Sequence, residues 1–126
     1  MSVFLSIPSK VECRWSNGPS LQALEGFLYI DFKNGRLGFS MPSGFSNERW
    51  YWQVPLEVVR PLLSMGGSEC QAALEYKSES SREWMTSDSV LSANHREGCL
   101  RIKPKGATGE EYRFSIADIG SLLDGL

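Results

Sequence analysis

The sequence predicts an α+β protein in which a unit of four strands and one helix occurs twice, in the order β4-α-β4-α. Two observations predict this class. Residues 50–54 alternate in the period of a half-buried strand, and residues 56–63 then place apolar side chains at helical spacing. The same change of period returns at residues 112–123. A strand that leads directly into a short helix, twice in one chain, indicates an internal repeat with halves at residues 1–66 and 67–126.

Length and charge limit the possible architectures and partners. A chain of 126 residues has the size of a single domain, so residues 1–126 are predicted to share one core. Its 13 lysines and arginines against 15 aspartates and glutamates give a net charge of −2. This balance differs from the strongly basic profile of proteins that bind duplex DNA through long-range electrostatics.

The cysteines and the single histidine argue against a disulfide framework and against a zinc site, because the three cysteines are odd in number and show no CxxC spacing. We therefore predict reduced thiols, a cytoplasmic location, and neither a metal ion nor another cofactor. Residues 1–8 lack the basic segment and the length of a signal peptide, and no apolar run is long enough to span a bilayer. No membrane partner is predicted.

Four strands are predicted in the first half. The alternating residues on either side of Pro8 form one long strand bent at the proline or two short ones. Residues 26–32 have the strongest strand pattern, and Asn34-Gly35 favours a tight hairpin into the next strand. The strand that starts at Trp50 completes the set, and the first helix follows it.

The second half repeats that order. Strand patterns occur at residues 71–76, 84–92, 99–103 and 112–116, and the last of them leads into the second helix. An alignment of the halves places Gly35 on Gly98, Leu37 on Leu100, Phe39 on Ile102, Trp52 on Phe114 and Val54 on Ile116. The ordered set of matches supports a duplicated unit.

Residues suited to catalysis are sparse. His95 is the single histidine and lies in a predicted turn, where a solvated side chain is expected rather than a general base. The carboxylates are scattered without the convergent pairs that hydrolysis or metal binding requires, and no Gly-rich segment matches a phosphate-binding loop. We therefore predict that the protein is not an enzyme.

A binding surface is better supported, because almost all basic residues fall on strands or hairpin ends and aromatic residues accompany them. Single-stranded nucleic acid is bound by such mixtures, since bases stack on flat side chains while lysine and arginine follow the phosphates. The candidate nucleic-acid-binding residues are Lys10, Arg14, Trp15, Tyr29, Lys33, Arg36, Phe45, Arg49, Tyr51, Lys77, Arg82, Trp84, Arg101 and Lys103.

Several aromatic and basic residues also have a purely structural interpretation. Trp52 alternates in register with apolar residues and is predicted to lie in the core. For Trp15, the pattern fits a core position and a surface position equally well. Tyr29 shares a strand face with Phe27 and Asp31, so a half-exposed position is predicted. Lys33 and Arg36 flank a hairpin, where charged residues are commonly solvated.

Parts of the chain resemble the Whirly proteins. Residues 25–32, the hairpin that follows, residues 50–54 and residues 57–70 resemble the central region of that family, in which a strand, a helix and a glycine-containing turn lead into a Ser-Cys pair. Residues 114–120 resemble the same strand-to-helix motif. The resemblance covers roughly half of the chain.

The resemblance implies two antiparallel four-stranded sheets packed crosswise, with helices at one side that join protomers into a homotetramer. It also implies binding of single-stranded DNA, or of RNA as in the related mitochondrial guide-RNA-binding proteins, with little sequence preference. The apolar residues of both helices would then form core and oligomer contacts. These residues are Leu56, Val59, Leu62, Leu63, Ile119, Leu122 and Leu123.

The predicted function is therefore non-sequence-specific binding of single-stranded DNA in replication, recombination or transcription. Two alternatives stay open. One is a single-stranded RNA-binding protein of the same fold, and the other is a protein-interaction scaffold that has lost nucleic-acid binding. The scaffold is favoured by the net charge of −2 and by residues 76–83, which hold fewer lysines and more glutamates than the Lys-rich segment of Whirly proteins.

Overall fold

The strands and helices follow one another in the order that the sequence predicts. The computed structural model describes residues 4–14, 22–42, 48–64, 69–106 and 110–124. Its elements are β1 (Phe4–Arg14), β2 (Gln22–Asp31), β3 (Arg36–Pro42), β4 (Arg49–Pro55), α1 (Leu56–Ser64), β5 (Glu69–Ser78), β6 (Met85–Asn94), β7 (Cys99–Pro104), β8 (Glu111–Ser115) and α2 (Ile116–Asp124).

The eight strands form one closed antiparallel barrel. Each strand pairs with its neighbours in chain order, and β1 pairs with β8 to complete the circle. The predicted α+β fold, with two four-stranded sheets packed crosswise, is therefore wrong. The Whirly-like fold that the resemblance implied is wrong for the same reason.

Two ladders account for the difference between two sheets and a barrel. β4 pairs with β5 at residues 50–53, and β1 pairs with β8 at residues 12–14. Side-chain alternation shows which residues of a strand face the core, but an edge strand and a fully paired strand show the same alternation. The sequence pattern therefore does not distinguish open sheets from a closed barrel.

The two helices pack against different strands of the barrel. α1 contacts β3, β4, β5 and β6, whereas the main contacts of α2 are with β1, β2 and β8. No helix in the described part of the chain is long and apolar enough to cross a membrane.

The apolar residues of both helices belong to the core of the barrel, as predicted. Leu56, Val59, Leu62, Ile119 and Leu122 are buried, and Leu63 and Leu123 pack against them. Because these side chains are covered within one chain, their additional role in oligomer contacts stays a prediction, as does the homotetramer.

The start of α2 is fixed by two polar contacts. The Ser115 hydroxyl accepts a hydrogen bond of 3.2 Å from the Asp118 backbone N–H, which caps the first turn of the helix. The Asp118 carboxylate in turn accepts a hydrogen bond of 2.6 Å from the Ser9 hydroxyl of β1. These contacts hold α2 against β1 beside the short β1–β8 ladder.

Each half of the chain joins its helix to a hairpin in the same way. Gly35 and Gly98 end the turns before β3 and β7, with φ angles of 65° and 71° that a side chain would strain. The Gly35 carbonyl accepts a hydrogen bond of 2.8 Å from the first N–H of α1, at Leu56. The Gly98 carbonyl accepts one of 2.9 Å from the first N–H of α2, at Ile116.

These equivalent bonds correct the predicted alignment of the two halves. Because Leu56 corresponds to Ile116, counting back along β4 and β8 pairs Trp52 with Tyr112 and not with Phe114. The predicted alignment matched residues by apolar character, and it was therefore two residues out of register where the strand meets the helix.

Inward-facing side chains from all eight strands fill the barrel. The ring of Phe39 stacks on Trp52 with centroids 4.9 Å apart, and it also contacts Tyr112 and Phe114 at 5.4 and 4.3 Å. Trp52 is buried, which confirms its predicted place in the core. Such aromatic packing contributes beyond the area that it buries.

The three cysteines are free thiols. Cys13 lies in the barrel core, where burial, reinforced by the charge of Glu110, raises the pKa of its thiol to about 11. Burial also raises the pKa of Cys70. A buried thiol with a raised pKa forms little thiolate at neutral pH, so Cys13 acts as a small apolar core residue.

Candidate nucleic-acid interface

The outer side of β2 to β5 gathers six of the predicted binding residues. They are Tyr29, Arg36, Arg49, Tyr51, Lys77 and Trp84, the last of which directly precedes β6. We define the aromatic face by the residues Phe27, Tyr29, Arg49, Tyr51, Lys77 and Trp84.

Strand register places side chains of the aromatic face in rows across the barrel wall. Phe27 on β2 lies opposite Ser40 on β3, which lies opposite Tyr51 on β4. Tyr51 lies opposite Lys77 on β5. Residues that share a row project from the same face of a sheet. A ring, a hydroxyl, a second ring and an ammonium group therefore follow one path across four strands.

The next row contains Tyr29, Gly38, Gln53 and Glu75, and here a glycine is required. A Cβ added to Gly38 would lie 2.3 Å from Cζ of Tyr29 and 2.6 Å from the backbone oxygen of Trp52. The missing side chain makes room for the Tyr29 ring, which is 4% exposed. Tyr29 thus supports the aromatic face from below and does not present an open ring to a base.

A chain of hydrogen bonds continues from Tyr29 across the strands. Its hydroxyl donates to Oε1 of Gln53 at 3.0 Å, and Nε2 of Gln53 donates to Oε1 of Glu75 at 3.0 Å. Nε of Arg36 donates to the same Glu75 oxygen at 2.8 Å. Burial, together with the nearby Asp31 carboxylate, raises the pKa of Tyr29, so the phenol keeps its proton. These hydrogen bonds fix the Gln53 amide and pair Arg36 with the Glu75 carboxylate.

Two cations of the aromatic face lie over aromatic rings. The guanidinium carbon of Arg49 is 5.3 Å from the centroid of Phe27, and Nζ of Lys77 is 5.1 Å from the ring of Trp84. Each side chain also donates one hydrogen bond to a neutral oxygen. Neither cation forms a salt bridge with another residue that the structure describes.

The outer side of β7 and β8 and the turn before β7 form a contrasting surface, which we call the ion-pair face. Arg101 bridges Glu97 at 2.8 Å, and Lys103 bridges Glu111 at 3.6 Å. Arg113 reaches Glu97 at 3.8 Å and also forms an ion pair with Glu111. The two predicted binding residues on this face, Arg101 and Lys103, are therefore paired with carboxylates.

The ionisation of both glutamates reflects these partners. The hydrogen bond from Arg101 lowers the pKa of Glu97, and the charge of Arg113 lowers it further. Burial acts to raise the pKa of Glu111, but the hydrogen bond and charge of Arg113, with Lys103 beside it, outweigh burial and lower the pKa. Both carboxylates stay charged and hold their cations near neutral pH.

The remaining predicted binding residues do not join either surface as a group. Lys10 and Arg14 lie on β1, Lys33 in the turn between β2 and β3, and Arg82 in the loop before Trp84. Trp15 and Phe45 lie outside the described residues.

The structure adds residues that the sequence analysis did not select. Phe27 is 42% exposed, but it was not among the predicted binding residues. Its position two residues before Tyr29 on one strand was the signal that could have identified it. No local sequence pattern identifies Gly38, Gln53 and Glu79, because the contacts of each depend on residues from other strands.

An open cleft of about 290 Å³ lies within the aromatic face. It is lined by Tyr29, Asp31, Tyr51, Gln53, Lys77, Glu79 and Trp84. A larger cleft of about 990 Å³ runs beside β1, and carboxylates and cations line it together. The smaller cleft also mixes carboxylates with a cation, but Tyr51 and Trp84 line it and offer rings on which a base can stack, so it is the better candidate for a nucleotide.

Metal ligands do not converge in the part of the chain that the structure describes. Among the described residues, no group of histidine, cysteine, aspartate and glutamate side chains could hold a metal ion. His95 is exposed in the turn after β6, with Nε2 at 3.3 Å from the Leu62 carbonyl oxygen.

No family model, curated protein or solved structure matches this chain. The resemblance to the Whirly proteins therefore stays a prediction from sequence motifs, and the assignment of a function depends on the surface chemistry of the barrel.

Proposed function

We propose that this protein is a non-enzymatic binding protein for single-stranded DNA, acting in replication, recombination or transcription, and that the aromatic face is its binding surface. The observation that supports the proposal is the placement of Arg49 and Lys77. Both lie over aromatic rings on the same surface as Tyr51, and neither is neutralised by a described carboxylate.

Stacking supplies most of the affinity in this proposal. Phe27, Tyr51 and Trp84 each offer a ring, and a base that stacks on an aromatic side chain gains about 1–3 kcal/mol. Single strands expose their bases for such contacts, whereas the bases of a duplex are already stacked on one another. The surface therefore favours single strands over duplex DNA despite the net charge of −2.

Arg49 and Lys77, which form no salt bridge with a described residue, set the salt dependence of binding. Each phosphate contact to a single strand contributes about −0.7 to the slope of log affinity against log salt, so Arg49 and Lys77 together give about −1.4. This is a shallow slope. It distinguishes the proposed mode from binding along a broad basic surface, for which the slope is much steeper.

The experiment is a fluorescence anisotropy titration of a labelled strand of about 12 nucleotides, a length within the range that small single-strand-binding domains cover. The double variant Arg49→Ala/Lys77→Ala is expected to weaken binding about tenfold and to bring the salt slope close to zero. The matched control Arg96→Ala/Lys105→Ala removes one arginine and one lysine from exposed turns away from the aromatic face. It should retain the wild-type affinity and slope.

Two results would contradict the proposal. One is the absence of binding to single-stranded DNA and RNA at low salt, which would favour the protein-interaction scaffold. The other is an equal loss of affinity in both double variants, which would show that net charge and not the aromatic face governs binding. Competition between DNA and RNA strands of one sequence separates the DNA-binding from the RNA-binding alternative.

A further inference from the structure

We propose that the cleft of the aromatic face selects one base of the bound strand, and that it prefers guanine over thymine or uracil. This inference rests on the proposed function. Stacking along the rest of the face tolerates any base, so the preference is confined to the one nucleotide that enters the cleft.

Aromatic side chains line the cleft, and such rings can stack on a base. Tyr51 and Trp84 both line the cleft, whose volume of about 290 Å³ lies near the lower end of the range for small-molecule sites. The hydrogen bond between Tyr29 and Gln53 fixes both side chains in the cleft. The cleft is therefore partly preformed and does not have to be built when a base arrives.

Two polar side chains of the cleft, Gln53 and Asp31, are already engaged within the described part of the chain. The Gln53 amide donates to Glu75 and accepts from Tyr29. The Asp31 carboxylate accepts from two backbone N–H groups and the side-chain amide of the following turn. Glu79 is different, because its Oε2 accepts no hydrogen bond from any residue that the structure describes.

Glu79 is also held in place. Its Oε1 accepts a hydrogen bond of 3.2 Å from the backbone N–H of Arg49, and its own N–H donates to the Arg49 carbonyl at 2.9 Å. This reciprocal pair sets the carboxylate at the rim of the cleft. An ionised carboxylate has lone pairs on both oxygens, so Glu79 can accept further hydrogen bonds and cannot donate any.

A fixed acceptor and an ammonium group that line one cleft select among the bases. The Watson–Crick edge of guanine carries two donors, N1–H and the 2-amino group, next to the acceptor O6, so it complements Glu79 and Lys77 together. Adenine and cytosine each offer an amino donor. Thymine and uracil present two carbonyl acceptors and a single N–H, which places an acceptor against the carboxylate.

The test compares strands of about 12 thymidines in which one central base is thymine, inosine or guanine. Inosine lacks the 2-amino group. For the wild type, guanine should bind at least about fivefold more tightly than thymine, the lower end of the discrimination expected from a bidentate base contact, with inosine between them.

The decisive variant is Glu79→Gln. Its amide oxygen can still accept from Arg49, but its amino group becomes a donor, so the ratio of guanine to thymine affinity should fall to about one or below. The control Glu83→Gln makes the same charge change in the same loop, outside the cleft, and should keep the wild-type ratio. Coincident urea unfolding midpoints of the variants and the wild type show that each is folded.

The outcomes separate this inference from the proposed function. If no strand binds, the proposed function fails. If all strands bind with equal affinity, or if Glu79→Gln keeps the wild-type ratio, single-strand binding stands and base selection by Glu79 is overturned.

Discussion

The aromatic face and the ion-pair face both carry cations on the outside of one barrel, but they hold them in opposite ways. On the ion-pair face, three cations share the carboxylates of Glu97 and Glu111. On the aromatic face, Arg49 and Lys77 lie over rings and contact neutral oxygens. A cation paired with a carboxylate contributes to the barrel, whereas one that lies on a ring keeps its charge for a ligand.

Basic residues on a strand do not by themselves indicate a nucleic-acid interface. Arg101 and Arg49 occupy similar outward positions, and their different neighbours decide what each can bind. The two faces also differ in their response to pH. Glutamates with lowered pKa values make the ion-pair face sensitive to acid, and a phenol with a raised pKa makes the aromatic face sensitive to alkali.

Gly38→Ala should have the largest effect on stability, because a side chain at this position clashes with the Tyr29 ring that packs beneath the aromatic face. The new Cβ would lie 2.6 Å from the backbone oxygen of Trp52 as well as 2.3 Å from Tyr29, so the β3–β4 ladder must shift. We expect a loss of about 2–3 kcal/mol in the free energy of unfolding, measured by urea denaturation.

Gly120→Ala is the control for Gly38→Ala. Gly120 lies inside α2, and a Cβ there meets no other atom within 4 Å. Alanine is favoured over glycine in a helix interior by about 1 kcal/mol, so this variant should be as stable as the wild type or more stable. Equal stability of the Gly38 variant and the wild type would show that the close contact of Tyr29 does not shape the aromatic face.

Glu111→Gln tests the ion-pair face and should have an intermediate effect. At neutral pH we expect a loss of about 1.5 kcal/mol, since a charged hydrogen bond to Arg113 is removed while Arg113 keeps Glu97. The folded-state pKa of Glu111 lies below its ordinary value of 4.5, so its contribution is complete above pH 4.5 and is lost as the pH falls.

The measurement for Glu111→Gln is the free energy of unfolding as a function of pH. The variant should lose less stability than the wild type on acidification from neutral pH. Glu12→Gln serves as the control, because Glu12 is exposed on β1 and forms no salt bridge with a described residue. An acid decline as steep in Glu111→Gln as in the wild type would contradict this account.

Tyr29→Phe should have the smallest effect at neutral pH, about 1 kcal/mol, because it removes one neutral hydrogen bond to Gln53. The folded-state pKa of Tyr29 is raised above its ordinary value of 10.0, so the unfolded chain loses this proton first as the pH rises. The contribution of Tyr29 to stability is therefore complete below pH 10 and falls above it.

The alkaline limb of the stability profile checks the Tyr29 prediction. Tyr29→Phe should lose less stability than the wild type above pH 10. Tyr76→Phe is the matched control, because no described residue joins the Tyr76 hydroxyl to such a chain of hydrogen bonds across the strands. If both variants behave alike, the hydrogen-bond chain does not set the stability of the aromatic face.

Local patterns predicted the elements better than their assembly. Alternation around Trp52 and helical spacing from Leu56 identified a strand and a helix, because both periods depend only on residues that are close in the sequence. The pairing of β4 with β5 was missed, since no local pattern records whether a strand edge is occupied. For the same reason, six of the predicted binding residues proved to share one face, while Arg101 and Lys103 lie on another.

The sequence by itself determined the order of strands and helices, the repeated glycine turns before β3 and β7, and the burial of Trp52 and of the helix leucines. Backbone conformation and amphipathic period depend on nearby residues, so these features are local. The tertiary structure decided that the ladders close into a barrel, that Tyr29 lies over Gly38, and which cations meet carboxylates. These features depend on distances between residues far apart in the chain, which strand register sets.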